Sequence, residues 1–293
     1  MAGRIVVGID GSEQSAHALE WAVSRARLGG AQLELISAYT SVPDLNFYGY
    51  HGVPSQPVEW YAEFSGELLE AAAARVRELA PELTCTLTSQ LGHPAHVLAD
   101  ASEGADAVVV GRRGLGGVRS ALMGSVSNRL TIHAKCPVIV IGEGEAPRTG
   151  PIVVGVDGSE FGTNALRYAI TEAAVRGSSV RAVAAYELPH PALRDDPELV
   201  ARMQADVEAE ATGAVTQVLD EVKGTNAASV NVEPVAVAGP AAEAILGHAE
   251  DAQLIVVGTH GKGLVQRILL GSVSRRVLND ADRPVAVVDL PES

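Results

Sequence analysis

The stretch IVVGIDGSE, beginning at Ile5, returns as IVVGVDGSE at Ile152, identical at eight of nine positions and displaced by 147 residues. The same displacement pairs Tyr39 with Tyr186, Gly92 with Gly239, Gly111 with Gly258, Gly124 with Gly271 and Pro137 with Pro284. A register kept over that distance requires two tandem copies of one unit with no net insertion between them. Each copy is the size of a whole domain, so the 293-residue chain is a duplication and not a solenoid. The domains are expected at 1–143 and 150–293, joined through GEGEAPRTG at 142–150.

Within a copy the hydrophobic period alternates. In the first, Arg4–Ile9 is a short apolar run closed by Asp-Gly-Ser, the pattern of a strand buried on both faces. Ala16, Leu19, Ala22, Val23 and Ala26 then recur at helical spacing until Gly29-Gly30. QLELISAY, TCTLTSQ, DAVVVG and PVIVIG read as four further strands, with helices predicted over Val58–Ala80, His93–Ser102 and Ser125–His133. Strands alternating with helices imply a parallel sheet covered on both faces. Right-handed crossovers leave few orders, and the order is 3-2-1-4-5 if the first strands wind one way and the chain then crosses to the other side. The expected fold class is therefore α/β, two tandem Rossmann-like domains, each a five-stranded parallel sheet of order 3-2-1-4-5 flanked by helices. The fifth strands, PVIVI and PVAVV, fall at sheet edges in this scheme. Pairing one lobe with the other would protect those apolar edges, giving a pseudo-twofold two-lobed monomer able to dimerise further.

That order makes the carboxyl ends of strands one and four neighbours, and open α/β sheets take ligands in the crevice outside such a switch point. Asp10-Gly11-Ser12 and Gly111-Arg112-Arg113-Gly114 both end there. Gly111 and Gly114 let backbone approach a ligand with no side chain between. Gly124-Ser125-Val126-Ser127 opens a helix, whose unpaired N–H groups and positive dipole end favour an anion, and Ser125 and Ser127 carry hydroxyl donors. The second copy repeats the arrangement with Gly258, Gly261, Gly271, Ser272, Val273 and Ser274. Such a cradle suits phosphates. It is not a Walker A loop, since GxxxxGK[ST] occurs nowhere, nor a dinucleotide fingerprint, since no GxGxxG follows the first strand. Asp10 and Asp157 have two readings: an Asx-turn or helix cap, or an acidic contact to a ribose hydroxyl or a phosphate-bound Mg²⁺. Their strand-end position favours the second. His93 and His96 could suggest a metal pair, but Pro240 and Glu243 replace them in the second copy, which favours a loop role. The aromatic connection with Phe47, Tyr48 and Tyr50 has no aromatic counterpart.

Charge narrows the ligand classes. The net charge is −14, with 10 basic and 16 acidic residues up to residue 147 and 12 and 20 after it, so neither copy has the basic balance of a nucleic-acid surface. Backbone N–H groups can still hold a small anion without lysines. The two cysteines, Cys85 and Cys136, form neither a metal spacing nor a disulfide framework and read as buried free thiols in a reducing compartment. The apolar runs are too short to span a membrane, and the opening MAGRIVVGIDGS lacks a signal-peptide layout, so a cytoplasmic protein is expected.

With those residues in view, the sequence resembles the universal stress protein family in its tandem, ATP-binding form, whose fold is of the adenine nucleotide alpha hydrolase-like type. The family's Gly-x2-Gly-x9-Gly-Ser/Thr motif stands as Gly111, Gly114, Gly124, Ser125 and as Gly258, Gly261, Gly271, Ser272. The resemblance implies ATP in both lobes. Ala38 and Val110, or Ala185 and Val257, would border adenine. Asp10 and Asp157 would sit near ribose, phosphates and Mg²⁺. The glycines with Ser125, Val126 and Ser127, or Ser272, Val273 and Ser274, would wrap the phosphate tail. It implies a nucleotide-dependent regulator of stress, dormancy or growth with a protein partner, and not an enzyme. A slow ATPase or another nucleotide-processing enzyme of the same fold is the alternative. Neither an evident water-activating base nor an HxGH-type or KMSKS-type signature is present. Arg112-Arg113 against Thr259-His260 marks where the copies diverge.

Overall fold

The computed structural model describes residues 3–40, 57–114, 123–143, 148–186, 196–261 and 269–290. The aromatic connection at Phe47–Tyr50 lies outside them. The chain divides into two compact units, Met1–Cys136 and Pro137–Ser293. No helix among the described residues is long and apolar enough to cross a membrane.

The first unit runs β1 (Arg4–Gly8), α1 (Glu13–Gly29), β2 (Gln32–Tyr39), α2 (Val58–Leu79), β3 (Cys85–Leu91), α3 (Pro94–Ala101), β4 (Ala107–Gly111) and α4 (Ser125–His133). Its strands are parallel in the order β3-β2-β1-β4. β1 and β4 lie inside the sheet with Val6, Val7, Val108 and Val109 fully buried, as continuous apolar runs require. β3 is the outer strand and is exposed along most of its length, which is why its sequence carries Thr and Gln between apolar residues. The paired Tyr39 and Gly92 meet at the end of β2, where the Gly92 N–H donates to the Tyr39 carbonyl at 2.8 Å.

The second unit contains β5 (Val138–Ile141), β6 (Ile152–Val156), α5 (Glu160–Arg176), β7 (Val180–Tyr186), α6 (Pro197–Glu221), β8 (Val232–Ala238), α7 (Ala241–Gly247), β9 (Leu254–Gly258), α8 (Ser272–Asp280) and β10 (Val285–Val288). Here 3-2-1-4-5 is complete as β8-β7-β6-β9-β10, all parallel. The division between units falls ahead of β5. The sequence reading put both fifth strands at the edges of their own five-stranded sheets, protected by pairing one copy with the other, and β5 and β10 do pair. β10 lies between β9 and β5, pairing antiparallel with β5 through Val285–Val140, Ala286–Ile139 and Val287–Val138. Both strands are buried over their whole length. An all-apolar four-residue strand has no polar face to offer solvent, so covering it with its equivalent from the other copy is the favourable outcome.

One polar cluster interrupts this core. Glu172 and Arg176, one turn apart on α5, form a pair at 2.6 Å with side chains 2% and 6% exposed. Arg176 also donates to Gln253 Oε1 at 3.2 Å, and Gln253 Nε2 to the Gly150 carbonyl at 2.6 Å. The first copy has Arg25, Gly29 and Asp106 at these three positions, so the cluster belongs to the second unit alone.

Both cysteines are free and half-buried, where the sequence reading expected them buried. Loss of hydration pushes the Cys136 thiol up to about 12, with Arg4 pulling it down, Asp106 adding to the push and the Val108 backbone contact opposing it. At pH 8 about one molecule in ten thousand would carry the Cys136 thiolate, the nucleophilic form. Alkylation of Cys136 by iodoacetamide in the native protein, followed by peptide mass spectrometry, is therefore expected to run about a thousandfold slower than that of an unperturbed thiol.

Candidate functional site

The turn after β6 is built by side chains that serve the backbone first. Ser159 caps α5 by accepting the Gly162 N–H at 3.0 Å. Asp157 Oδ1 holds that cap, accepting the Ser159 N–H at 3.0 Å and its hydroxyl at 2.5 Å. The Asx-turn reading thus accounts for one carboxylate oxygen. The other faces the turn after β9: a Cβ placed on Gly261 would lie 2.7 Å from Asp157 Oδ2. The first copy repeats this, with Asp10 Oδ1 accepting from the Ser12 N–H at 2.9 Å and the Ser12 hydroxyl at 2.6 Å. A Cβ on Gly114 would lie 2.3 Å from Asp10 Oδ2. Each aspartate therefore lies between the turn it caps and the glycine turn after the fourth strand of its copy.

The motif glycines answer to the protein's own atoms. Gly258 lies flush against the first turn of α5, where a Cβ would be 3.0 Å from Phe161 Cβ, and Gly111 against α1, 2.8 Å from Gln14 Cβ. The Gly271 N–H donates to the Thr259 carbonyl at 2.8 Å and the Gly124 N–H to the Arg112 carbonyl at 2.9 Å, closing each glycine-rich segment onto the strand-four turn. The glycines do permit close approach, as expected, but the partner approached is this chain's own helix, aspartate and carbonyl.

In the second unit the result is a cavity of about 270 Å³ at the carboxyl ends of β6 and β9, near the lower end of the range for small-molecule sites. Every residue named for the second copy lines it: Asp157, Ala185, Val257, Gly258, Gly261, Gly271, Ser272, Val273 and Ser274. Sequence reasoning missed Gly155, Val156, Gly162, Val183, Ala241, Ile245 and His260, which line it too. Val183 was legible, since it stands two residues before Ala185 on the same face of β7. Ala241 and Ile245 sit one turn apart on α7, a spacing that shares a helix face. One part of the wall is apolar (Val156, Val183, Ala185, Ile245, Val257). The other holds Asp157, His260 and the start of α8, whose N-cap Gly271 supplies no side-chain cap.

Two expected hydroxyl donors face elsewhere. Ser274 is 4% exposed and donates to the Gly258 carbonyl at 2.6 Å; Ser127 is 3% exposed and donates to the Arg112 carbonyl at 2.9 Å. Each hydroxyl has one proton, so these serines tie the helix to the strand-four turn and offer a ligand only an acceptor. Ser272 and Ser125 stay exposed at the first helical position. In the first unit Val110 and Ala38 stand at the carboxyl ends of β4 and β2, on either side of β1, with Val126 in the first turn of α4. The copies differ at a matched pair. Gln14 Oε1 accepts the Arg113 N–H at 2.7 Å, whereas its counterpart Phe161 packs its ring 5.1 Å from that of His260. His93 caps α3, its Nδ1 accepting the Ala95 N–H at 3.3 Å, and no group of three metal-ligating side chains occurs among the described residues.

A duplicated α/β unit with a cavity at the strand-one and strand-four switch point defines a class of small-ligand-binding architecture. The sequence matches the Universal stress protein family over residues 1–142 and 149–289, and the chain belongs to that family. It is 33% identical to a universal stress protein of Mycobacterium tuberculosis, over 98% of this chain and 95% of the relative. With one from Mycolicibacterium smegmatis it shares 32% identity, over 97% and 96%. In structure it is similar to a universal stress protein of Archaeoglobus fulgidus, with a TM-score of 0.68 at 20% identity over 98% of both chains.

Proposed function

We propose that this chain is an ATP-binding regulator of stress, dormancy or growth, taking one nucleotide in each of the domains 1–143 and 150–293. One observation carries the reading: residues chosen from the sequence as a nucleotide cradle converge on a single cavity of mixed character. The residues fit the group. The apolar wall of Val156, Val183, Ala185, Ile245 and Val257 suits a purine, and the uncapped start of α8 suits a phosphate chain. Asp157 stands where a ribose hydroxyl or a phosphate-bound Mg²⁺ would be held. The equivalent first-lobe set is Asp10, Ala38, Val110, Gly111, Gly114, Gly124, Ser125, Val126 and Ser127. Regulation follows if nucleotide binds two conformations or partner states unequally. The regulator is proposed to act in the cytoplasm as a homodimer that engages a protein partner; with β5 and β10 paired to each other, its dimer interface lies elsewhere than the fifth strands. Catalysis is the lesser reading, because Asp10 and Asp157 already hold their helix caps through one oxygen.

Denaturing the purified protein and identifying released nucleotide by chromatography tests this directly. ATP is expected, or an empty protein that binds added Mg–ATP in calorimetry; an empty protein that binds none would refute the reading. Multiple-turnover phosphate release that disappears in an Asp10→Asn, Asp157→Asn double variant would favour the ATPase.

A further inference from the structure

His260 is 8% exposed, lines the second cavity, and has a buried Nε2 with no hydrogen-bond partner among the described residues. A polar ring atom in that position calls for a partner, since an unmet buried group carries its full desolvation cost. The other ring nitrogen fixes what that partner must be. Nδ1 lies 3.1 Å from Thr259 Oγ1, and Thr259 donates its only hydroxyl proton to Asp289 Oδ1 at 3.0 Å. A carboxylate accepts and cannot donate, so Thr259 Oγ1 must accept from His260, which places the proton on Nδ1. In the neutral ring Nε2 is then a bare acceptor. In the imidazolium it is an N–H donor on a residue that lines the cavity.

The device is confined to the second copy. Positions equivalent to Thr259, His260 and Asp289 are Arg112, Arg113 and Gly142, and Phe161, packed on the imidazole, replaces Gln14. Where the first lobe has a permanently charged side chain, the second has a titratable one whose tautomer is set by a two-step chain ending in a carboxylate. Around the ring, β6 contributes Asp157 through the Gly261 turn, and the residue after β10 contributes Asp289. α5 presents the uncharged Phe161, and α8 is preceded by its N-cap Gly271, where a Cβ would lie 3.5 Å from His260 Cα.

We propose that His260 is a ligand-contacting residue of the second site, and that a phosphate-bearing ligand binds there with uptake of one proton onto Nε2. This rests on the nucleotide reading above. A phosphate chain presents acceptors, so a neutral Nε2 would oppose it, whereas the protonated ring donates to it. The proton comes from solvent and returns there on release. The second lobe's affinity then falls as pH rises, while the first lobe, with Arg113 at this position, lacks that dependence.

The test uses the full chain and Mg–ATP. Calorimetry in buffers of different ionisation enthalpy counts protons taken up, and ¹⁵N NMR of the histidine side chains follows Nε2 directly. Wild type is expected to take up more protons than His260→Gln, and the His260 Nε2 resonance to move from the bare to the protonated form on binding. The affinity advantage of wild type over His260→Gln at the second site should shrink as the pH is raised. Thr259→Val, which keeps the ring but removes the group that fixes its tautomer, should lower second-site affinity without abolishing the NMR change. Nucleotide bound at both sites with an unmoved His260 resonance and equal proton counts in wild type and His260→Gln would overturn this inference alone. Wild type that binds no nucleotide would overturn the proposed function, and this inference with it.

Discussion

Gly261→Val is expected to empty the second lobe and leave the first occupied. In calorimetry with Mg–ATP, binding should drop from two equivalents to one, with second-site affinity down about a hundredfold or more, roughly 2.7 kcal/mol. A Cβ there would lie 2.7 Å from Asp157 Oδ2, so the new side chain displaces the carboxylate that lies between the two turns and occupies the cavity wall. The atom it strikes is the end of a side chain, and the fold is expected to survive. Gly258→Val should behave differently: its nearest neighbours are Cβ and backbone of Phe161, at 3.0 and 3.1 Å, so stability falls along with binding. Gly114→Val is the reciprocal change in the first lobe, with Asp10 as the displaced group. Equal loss at both sites from either single substitution would show that the cradles are not independent.

Glu172→Ala should destabilise the second unit by about 3–5 kcal/mol, because it removes the carboxylate 2.6 Å from a guanidinium that is almost fully buried. The Gln253 contact at 3.2 Å comes from an uncharged amide and does not replace the carboxylate. Urea denaturation followed by circular dichroism is the measurement. Replacing both partners, Glu172→Leu with Arg176→Met, should recover most of the loss, since a buried pair owes much of its apparent strength to the penalty for breaking it. A Glu172→Ala protein as stable as wild type would refute the stabilising role of the pair.

The strands that carry the site were the most legible part of the sequence. β1, β4, β6 and β9 are apolar on both faces, and that pattern needs no partner information to be recognised. Their order followed from handedness together with an assumed reversal of winding after the third strand, and the convergence of the second-copy residues on one cavity followed from the order. Side-chain direction was not legible. Nothing in Gly-Ser-Val-Ser tells that one serine stays at the surface while the other turns inward to a carbonyl, because that depends on how closely the helix docks on the preceding turn. The cover of the fifth strands was legible, because an apolar tetrapeptide must be covered and its equivalent in the other copy was at hand; its antiparallel direction was not. His260 left a faint signal, as four positions (14, 112, 113 and 142) change together between the copies. Only the geometry shows that the replacements Phe161, Thr259, His260 and Asp289 act on one ring.

The antiparallel pairing of β5 with β10 has a consequence in time. The two strands are equivalent in the repeat and so are separated by 147 residues, which a ribosome adds in about 7 to 30 s at ordinary elongation rates. For that interval Val138–Ile141 has been synthesised and its antiparallel partner has not. The nascent chain holds a bare apolar strand next to a nearly finished copy of its own fold. A polysome carrying many such chains would be the setting in which the wrong two copies pair, and this segment is where a holding chaperone would be expected to bind.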